Sequence, residues 1–294
     1  MKLLFQSTVS QQASLFAQLE DGSQRLSKNQ RVLAKYILEH YQGVVFSTVK
    51  QLSRDAGVSE ATIVRFAKAL NFKGYPGLQK EIRRIVRADL KGTERFKLTY
   101  ALPEPARKGP LSAIIEKEIE NISTLQETLD QKAFHQAVAA MRDASEIIVV
   151  GTRSTASLAR HLWFGLDKIG LKVTRHLAIT TETYDQLARL TRGACLVVIG
   201  FPRYLRELVE LLEFAKEHGI RTLTITDSRF SALRGDISLY APAESATFVA
   251  AHGAPLILIN GLLHEVSAMD KTRTLKALNR FEAVAESNGY FHAA

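Results

Sequence analysis

The sequence predicts an N-terminal all-α helix-turn-helix domain joined to a C-terminal α/β domain, a three-layer sandwich around a parallel sheet. The length of 294 residues indicates two domains, because a domain typically takes about 150 residues. Between residues 15 and 86, apolar side chains recur at helical spacing, as in Val32 and Tyr36. After Leu111, short apolar runs alternate with helical segments, the order that builds parallel βαβ units.

A stretch with three Pro and two Gly separates the two domains. Its mixed charges and turn-forming residues are typical of a linker. We therefore place the helix-turn-helix domain at residues 1–90, the linker at residues 91–110 and the α/β domain at residues 111–294.

The composition excludes several classes of protein. Hydrophobic residues make up 46% of the chain, which is ordinary for a globular protein and too much for a disordered one. No apolar run reaches the ~18 residues of a membrane helix and no signal-peptide core follows Met1, so we expect a cytoplasmic protein with no membrane partner. The single cysteine, Cys195, lies in an apolar run and is expected to be a buried strand thiol. Because the sequence has only one cysteine, neither an intrachain disulfide nor a Cys-based metal site is possible, and we expect no metal and no cofactor.

The net charge of +9 is confined to one end of the chain. Residues 1–100 hold 17 Lys and Arg against 8 Asp and Glu, whereas residues 101–294 hold 22 of each. A basic module on a neutral one favours a polyanion as partner of the basic module. A solvated basic surface without a partner is the alternative.

The C-terminal half contains five predicted strands with helices between them. An alternation of this kind gives a parallel sheet covered by helices on both faces. The predicted strands are residues 147–150, 172–176, 195–199, 222–226 and 237–240, the helices between them are 155–169, 182–190 and 205–218, and a late apolar helix at 248–266 suits subunit packing.

The segment from Thr48 to Leu70 predicts two helices joined by a tight turn. Gly57 follows the first helix and supplies the left-handed backbone of the turn, Val58 plugs it, and Ser59 is an N-cap for the second helix. Such a pair is a helix-turn-helix unit, whose second helix offers residues to the major groove of DNA. One face of that helix is apolar (Ile63, Phe66, Ala67, Leu70) and the other carries Glu60, Ala61, Thr62, Arg65 and Lys68. A helical hairpin of an unrelated fold is the alternative.

The run VSEATIVRFAKALNFKGYPGLQKEI resembles the DNA-binding domain of the RpiR family of bacterial regulators. Asn71 stands where the family usually has Gly, and Asn also tolerates a positive φ. The resemblance implies that Lys73 and Tyr75 contact the DNA backbone beside the recognition helix, the alternative being a capping turn with a solvated Lys. It also implies that the α/β half is SIS-like (sugar isomerase domain).

The loop after the first strand is a candidate effector site. It reads Gly151-Thr152-Arg153-Ser154-Thr155, and a Gly-led loop that opens a helix offers free N–H groups to an anion. It resembles the first ligand loop of SIS domains, which implies that a hydroxyl near Thr155 contacts a sugar phosphate. A plain strand-to-helix turn, capped by Ser154 or Thr155, is the alternative.

The loop after the third strand departs from the SIS pattern. The usual S-x-S-G-x-T is replaced by Gly200-Phe201-Pro202-Arg203-Tyr204-Leu205, so all three hydroxyl positions are lost. Arg203 is suited to bind a carboxylate bidentately, with Phe201 or Tyr204 as an apolar wall. The alternative is a degenerate pocket in which Arg203 pairs with Glu207.

Two further segments are candidates for the same cleft. Residues 180–184 follow the second strand, where Thr181 is expected to be an N-cap with Tyr184 at position N3. Glu244 and Ser245 precede the late apolar helix, which carries His252 and His264. In SIS isomerases a Glu and a His from this region perform acid–base chemistry, but lone histidines on an apolar helix are more often core or interface groups.

These features together predict a DNA-binding transcriptional regulator of a metabolic operon. We expect its partners to be a double-stranded DNA operator, a small anionic metabolite effector and copies of itself in a homodimer or homotetramer. The lost hydroxyls argue against catalysis and favour a carboxylate-bearing or ring-bearing effector over a simple sugar phosphate. A sugar-phosphate isomerase with an appended helical domain is one alternative, and an architectural DNA-binding protein is another. The resemblance leans towards a repressor of a catabolic operon, with an activator as the alternative, since the family has members of both kinds.

Overall fold

A computed structural model describes residues 26–44, 47–89, 93, 109–190, 193–229 and 231–292 of the chain. The chain divides into two compact units, Met1–Ala101 and Leu102–Ala294. Residues 15–25, where the expected helical pattern begins, and most of the expected linker lie outside the described residues. Among the described residues, no helix is long and apolar enough to cross a membrane.

The first unit is helical throughout its described part, as predicted. Its helices are α1 (Lys28–Val44), α2 (Val49–Ala56), α3 (Glu60–Ala69) and α4 (Tyr75–Asp89). Leu33, Ile37, Leu52, Ile63, Phe66, Leu78 and Ile82 are fully buried and come from all four helices. Isolated helices of 8 to 17 residues are at best marginally stable in water, so packing of these side chains stabilises the unit.

The second unit alternates helices and strands. Its elements are α5 (Gly109–Thr128), α6 (Gln131–Arg142), β1 (Ile147–Gly151), a 3-10 turn (Arg153–Thr155), α7 (Ala156–Lys168), β2 (Val173–His176), α8 (Thr181–Ala188), β3 (Cys195–Ile199), α9 (Arg206–Glu217), β4 (Arg221–Thr226), β5 (Ile237–Tyr240), α10 (Gly253–Met269) and α11 (Lys271–Ser287).

The five strands form one sheet in the order β2-β1-β3-β4-β5, and every pair is parallel. Alternate residues of a strand face opposite sides, and the core divides accordingly. Ile147 and Val149 pack with α6, α7 and α10, whereas Ile148 and Val150 pack with α8 and α9. Strands buried on both faces are apolar at every position, which is why the runs in β1 and β3 are continuous. The predicted three-layer sandwich is confirmed.

Strand and helix bounds agree with the sequence prediction within a residue or two, with one exception. The late apolar helix begins at Gly253 and not at residue 248. The Ser245 and Thr247 hydroxyls accept hydrogen bonds from the backbone N–H groups of Thr247 and Val249, at 3.0 and 3.2 Å. These local turns compete with a helix. His252 is therefore the residue before the helix and not a member of it.

The predicted cap of α8 is also wrong by one residue. Thr180 is the N-cap, and the Thr180 N–H donates to Thr183 Oγ1 at 3.1 Å. Thr183 is fully buried, and its hydroxyl lies 3.1 Å from Nδ1 of His176. Thr183 reaches the end of β2 in this way, which the hydroxyl pattern of residues 180–184 did not reveal.

Candidate DNA interface and effector site

The turn between α2 and α3 has the geometry that the sequence predicts. Gly57 has a φ of 65°, in the left-handed region that glycine adopts without strain. The N–H groups of Gly57 and Val58 donate to the carbonyls of Arg54 and Ser53, at 3.3 and 3.1 Å. Val58 is buried. These hydrogen bonds satisfy backbone carbonyls at the end of α2 and fix the direction of α3 relative to α2.

The start of α3 is held by Ser59, which is the N-cap. Its Oγ accepts from the Thr62 N–H at 3.2 Å and lies 2.8 Å from Thr62 Oγ1. Thr62 is only 5% exposed, so its expected place on the DNA-facing side is wrong: its hydroxyl is bonded within the cap. The exposed residues are those that remain of the predicted set, Ser59, Glu60, Ala61, Arg65 and Lys68.

Of the two residues after α3 that were expected to contact the DNA backbone, one is exposed and the other is buried. Asn71 has a φ of 64°, so it adopts the conformation expected of it, and Lys73 is exposed. Tyr75, however, is 3% exposed, and its hydroxyl donates to the Ser47 carbonyl at 2.8 Å. A buried hydroxyl bonded to the backbone is not available to a phosphate, so the expectation for Tyr75 is wrong. Its role is to tie α4 to the chain before α2.

Gln79 makes a second contact of this kind, which no sequence pattern indicated. Its Nε2 donates to the same Ser47 carbonyl at 2.8 Å. The segment that leads into the helix-turn-helix pair is therefore fixed by two side chains of α4. Among the described residues, Arg65, Lys68 and Lys73 have no ion pair, which leaves their charges available to an anion.

In the second unit, the carboxyl ends of β1, β3 and β4 lie side by side. Gly151 is paired with Ile199, and Ile199 with Ile225. A Cβ at Gly151 would lie 2.8 Å from both the Thr155 carbonyl oxygen and the Ala159 Cβ, which no side chain tolerates. Glycine here lets the loop fold back over the strand end, where doubly wound sheets bind ligands.

The first loop exposes fewer groups than expected. Thr152 and Thr155 are buried, and Thr155 Oγ1 lies 2.9 Å from the Thr152 carbonyl and 3.0 Å from the Ile199 carbonyl. The expected contact of Thr155 with a phosphate is therefore wrong, because the hydroxyl already joins β1 to β3. Thr155 is the N-cap residue of α7, as the alternative expected, but neither its side chain nor that of Ser154 makes a capping hydrogen bond. Arg153 and Ser154 are the exposed side chains.

The three candidate residues of the second loop differ in exposure and in their partners. Phe201 is 5% exposed, with its ring centroid 6.2 Å from that of His252, so it belongs to the core and forms no open wall. The Tyr204 hydroxyl donates to the Asp227 carboxylate. Arg203 is exposed and, among the described residues, forms no ion pair, so the predicted alternative pairing with Glu207 is not found. Arg206 forms the local pair instead, with Glu210 at 2.6 Å.

A cavity of about 210 Å³ lies between α5 and the loop that contains Glu244. Lys117 Nζ is 2.6 Å from Glu244 and 2.8 Å from Glu120. Burial alone lowers the pKa of Lys117, but hydrogen bonds to these two carboxylates outweigh it and raise the pKa above its usual value. Asn121 Nδ2 donates to the Glu244 carbonyl at 2.7 Å. The α5 residues were missed by the sequence reasoning because they lie more than 100 positions from the loop they contact.

Glu118, which lines this cavity, also connects α5 to the start of α10. The Gly253 N–H donates to Glu118 Oε1 at 3.3 Å, so a carboxylate from α5 caps α10. Glu118 Oε2 and His252 Nε2 are buried and have no hydrogen-bond partner among the described residues. Burial lowers the pKa of His252, and the nearby Glu118 charge opposes that shift. His264 is exposed on α10.

A helix-turn-helix unit with an exposed basic helix face, followed by a parallel α/β unit, defines a transcriptional regulator with a second domain. Comparison with known proteins gives the family. Residues 13–86 match the helix-turn-helix domain of the rpiR family, and residues 140–265 match the SIS domain. The chain belongs to the RpiR family of helix-turn-helix regulators that carry a SIS domain.

The relatives are named as regulators, and one structural neighbour matches the second domain while the other spans nearly the whole chain. The uncharacterized HTH-type transcriptional regulator YbbH of Bacillus subtilis is 25% identical over 284 residues, 92% of this chain and 96% of the relative. The sugar isomerase domain of an RpiR transcription factor from Sphaerobacter thermophilus has a TM-score of 0.56 at 27% identity, over 58% of this chain and 96% of that domain. The NanR protein of Vibrio vulnificus, solved in complex with ManNAc-6P, has a TM-score of 0.56 at 19% identity, over 93% and 98% of the two chains, and shows the fold alone.

Proposed function

We propose that this regulator binds the operator of a metabolic operon and that a small anionic metabolite, bound at the carboxyl edge of the sheet in the second unit, controls its affinity for DNA. The observation that carries the proposal is the exposed Arg203 after the end of β3, which forms no ion pair with any described residue and lies beside the end of β1 that presents Arg153. An exposed guanidinium at a ligand-binding strand end is suited to a planar anion.

The DNA half of the proposal rests on the surface of α3. Its capped N-terminus presents Glu60 and Ala61, and Arg65 and Lys68 follow one and two turns later on the same side. The first residues of a recognition helix contact base edges, and a cation one turn on contacts a guanine or a phosphate. Lys73, beyond the helix, is placed to contact the backbone.

The first candidate for the effector is a metabolite that bears a carboxylate. Arg203 binds a carboxylate through two parallel N–H donors, which lysine cannot do. Ser154 adds one exposed hydroxyl from the first loop. Phe201 is buried and does not contact the effector. Of the two rings predicted as an apolar wall, only that of Tyr204 remains for the apolar part of the effector.

A sugar phosphate is the second candidate, and one observation favours it. NanR of Vibrio vulnificus, with the same fold over nearly its whole length, was solved with ManNAc-6P. The cavity beside Glu244 also has polar lining residues suited to sugar hydroxyls, Glu118, Ser245 and Thr247 among them. Catalysis is the less favoured function, because Glu244, the candidate acid–base residue, is neutralised by Lys117 at 2.6 Å.

The proposal is tested by calorimetry on the full chain with two probes, gluconate for the carboxylate and ManNAc-6P for the sugar phosphate. We expect gluconate to bind and Arg203→Ala to abolish its binding. Arg206→Ala is the matched control, since Arg206 is an exposed arginine three residues on that already pairs with Glu210. Tight binding of ManNAc-6P that Arg203→Ala leaves unchanged would replace the first candidate with the second.

Binding of the effector alters DNA affinity by a population shift. The ligand favours one arrangement of the oligomer, and that arrangement places the recognition helices correctly or wrongly for the operator. Couplings of this kind amount to ~1–3 kcal/mol, or roughly 5–150-fold in operator affinity. Arg203→Ala should remove the response to effector and leave the DNA affinity of the free protein as it was, measured by fluorescence anisotropy.

A further inference from the structure

Among the exposed residues of α3, Val64 lies outside the hydrophobic core that the described residues of the first unit form. It is 36% exposed, and it belongs neither to the buried core of the first unit nor to the partly buried residues packed against that core. The neighbouring Ile63 is fully buried, so α3 is already anchored without it. A β-branched residue at an exposed helix position also has a lower helix propensity than alanine, so Val64 does not favour the helix either.

The position of Val64 places it in the middle of the proposed DNA-facing surface. It lies one turn after Glu60 and Ala61 and one turn before Lys68, and residues at three- and four-residue spacing share a helix face. The exposed neighbours Glu60, Arg65 and Lys68 are charged. Val64 is therefore an exposed apolar side chain, larger than the methyl group of Ala61, among charged residues that are proposed to contact phosphates and polar base edges.

We propose that Val64 is a specificity-determining residue that contacts the C5-methyl group of a thymine in the major groove. This inference rests on the proposed operator binding and adds the kind of base that is recognised. Of the four standard bases, thymine alone presents an apolar group in the major groove, and apolar side chains contact it. A valine at this place excludes water from that methyl group, whereas a cytosine offers it only a polar edge.

The experiment begins with selection of an operator from random duplex DNA by the full-length protein. In the selected site, each thymine is then replaced singly by deoxyuridine, which removes the C5-methyl group and nothing else. We expect one thymine per half-site at which the replacement weakens binding by roughly three- to fivefold, the value of one buried methyl group. With Val64→Ala, the replacement at that thymine should have no effect.

The matched control is Val32→Ala, which shortens another valine of the same unit that is 47% exposed but lies on α1. It should bind the selected operator like the wild type and keep the deoxyuridine penalty. Three results would overturn the inference: a selected site without a required thymine, a wild type that tolerates deoxyuridine at every position, or an equal penalty in Val64→Ala.

These failures differ from a failure of operator binding itself. A protein that enriches no sequence from the random pool contradicts the proposed function, and with it the role of Val64. A protein that enriches an operator but ignores the thymine methyl groups contradicts the role of Val64 alone.

Discussion

Two exposed cations of the helix-turn-helix unit are expected to act differently on DNA: Arg65 on sequence preference and Lys73 on affinity for any sequence. Arg65 lies on the exposed face of α3, whereas Lys73 lies in the turn beyond it. We expect Arg65→Ala to cost on the order of 1–3 kcal/mol on the operator and to relax the preference for it. Unchanged operator affinity in a gel-shift titration would show that α3 is not the recognition helix.

Lys73→Ala should behave differently, because a phosphate contact carries no sequence information. We expect weaker binding to all sequences alike and a plot of log affinity against log salt whose slope falls by about one. Anisotropy titrations between low and high salt measure this. A Lys73→Ala protein that loses operator preference but keeps the slope would place Lys73 against a base.

Cys195 is expected to be chemically inert in the folded protein. It is 1% exposed in β3, and burial raises the pKa of its thiol to about 12. The thiolate is the reactive form, so almost none is present near pH 8. Ellman's reagent should report no thiol in the native chain and one thiol in guanidinium chloride. Rapid reaction of the native protein would mean that the strand opens readily.

His252 makes the second unit sensitive to acid. Its pKa is lowered by burial, so below about pH 6.5, the usual value for histidine, the unfolded chain takes up a proton that the folded chain does not. The free energy of unfolding should therefore fall as the pH drops through that value. Urea titrations at a series of pH values measure the slope, which His252→Gln should flatten.

At the scale of elements, the turn between α2 and α3 is the most sensitive connection in the first unit. A Cβ at Gly57 meets nothing within 4 Å, so the cost of Gly57→Ala is backbone strain alone. A left-handed residue other than glycine costs roughly 1–2 kcal/mol. We expect that loss in unfolding free energy with weaker operator binding, and a smaller loss for Gly57→Asn, since Asn tolerates this conformation.

Gly219 provides the matched control for that prediction. It also has a φ of 65° and open space around its Cβ position, but it follows α9 in the second unit. Gly219→Ala should impose the same strain there and leave DNA affinity unchanged. Equal loss of DNA binding in both variants would show that the effect comes from general destabilisation and not from the helix-turn-helix turn.

At the scale of the whole molecule, the second unit has an apolar surface suited to self-association. Leu111, Ile115 and Ile119 follow one another at four-residue spacing on α5 and are 68%, 49% and 57% exposed. Stripes of this kind on soluble proteins usually mark interfaces. A single helix-turn-helix buries too little surface for tight operator binding, so we expect a dimer or tetramer that contacts two half-sites.

Light scattering on the full-length protein tests this assembly. The wild type should have at least twice the mass of one chain, and Ile115→Lys with Ile119→Lys should lower it and weaken operator binding. Leu275→Lys, at a position of α11 that is 60% exposed, is the matched control and should change neither. A wild-type monomer would contradict the expectation, and a monomeric Leu275→Lys protein would move the interface to α11.

The sequence alone determined the element types, the three-layer order and the helix-turn-helix turn, because these follow from local spacing and from single residues such as Gly57 and Ser59. It also located the two loops at the strand ends, since their position follows from the order of the strands. Only the tertiary structure decided which side chains in those places remain accessible. Thr62, Tyr75, Thr155 and Phe201 have the right chemistry for contact with DNA or an effector, yet each is buried.

The contribution of α5 was likewise decided by the tertiary structure. Asn121 and Glu244 are 123 positions apart, and Glu118 and Gly253 are 135 positions apart, yet both pairs are hydrogen-bonded. Local patterns specify how a segment folds but not which distant segment packs against it. Burial and pairing of a polar group depend on that second choice, which is why the fold followed from the sequence and the accessible site residues did not.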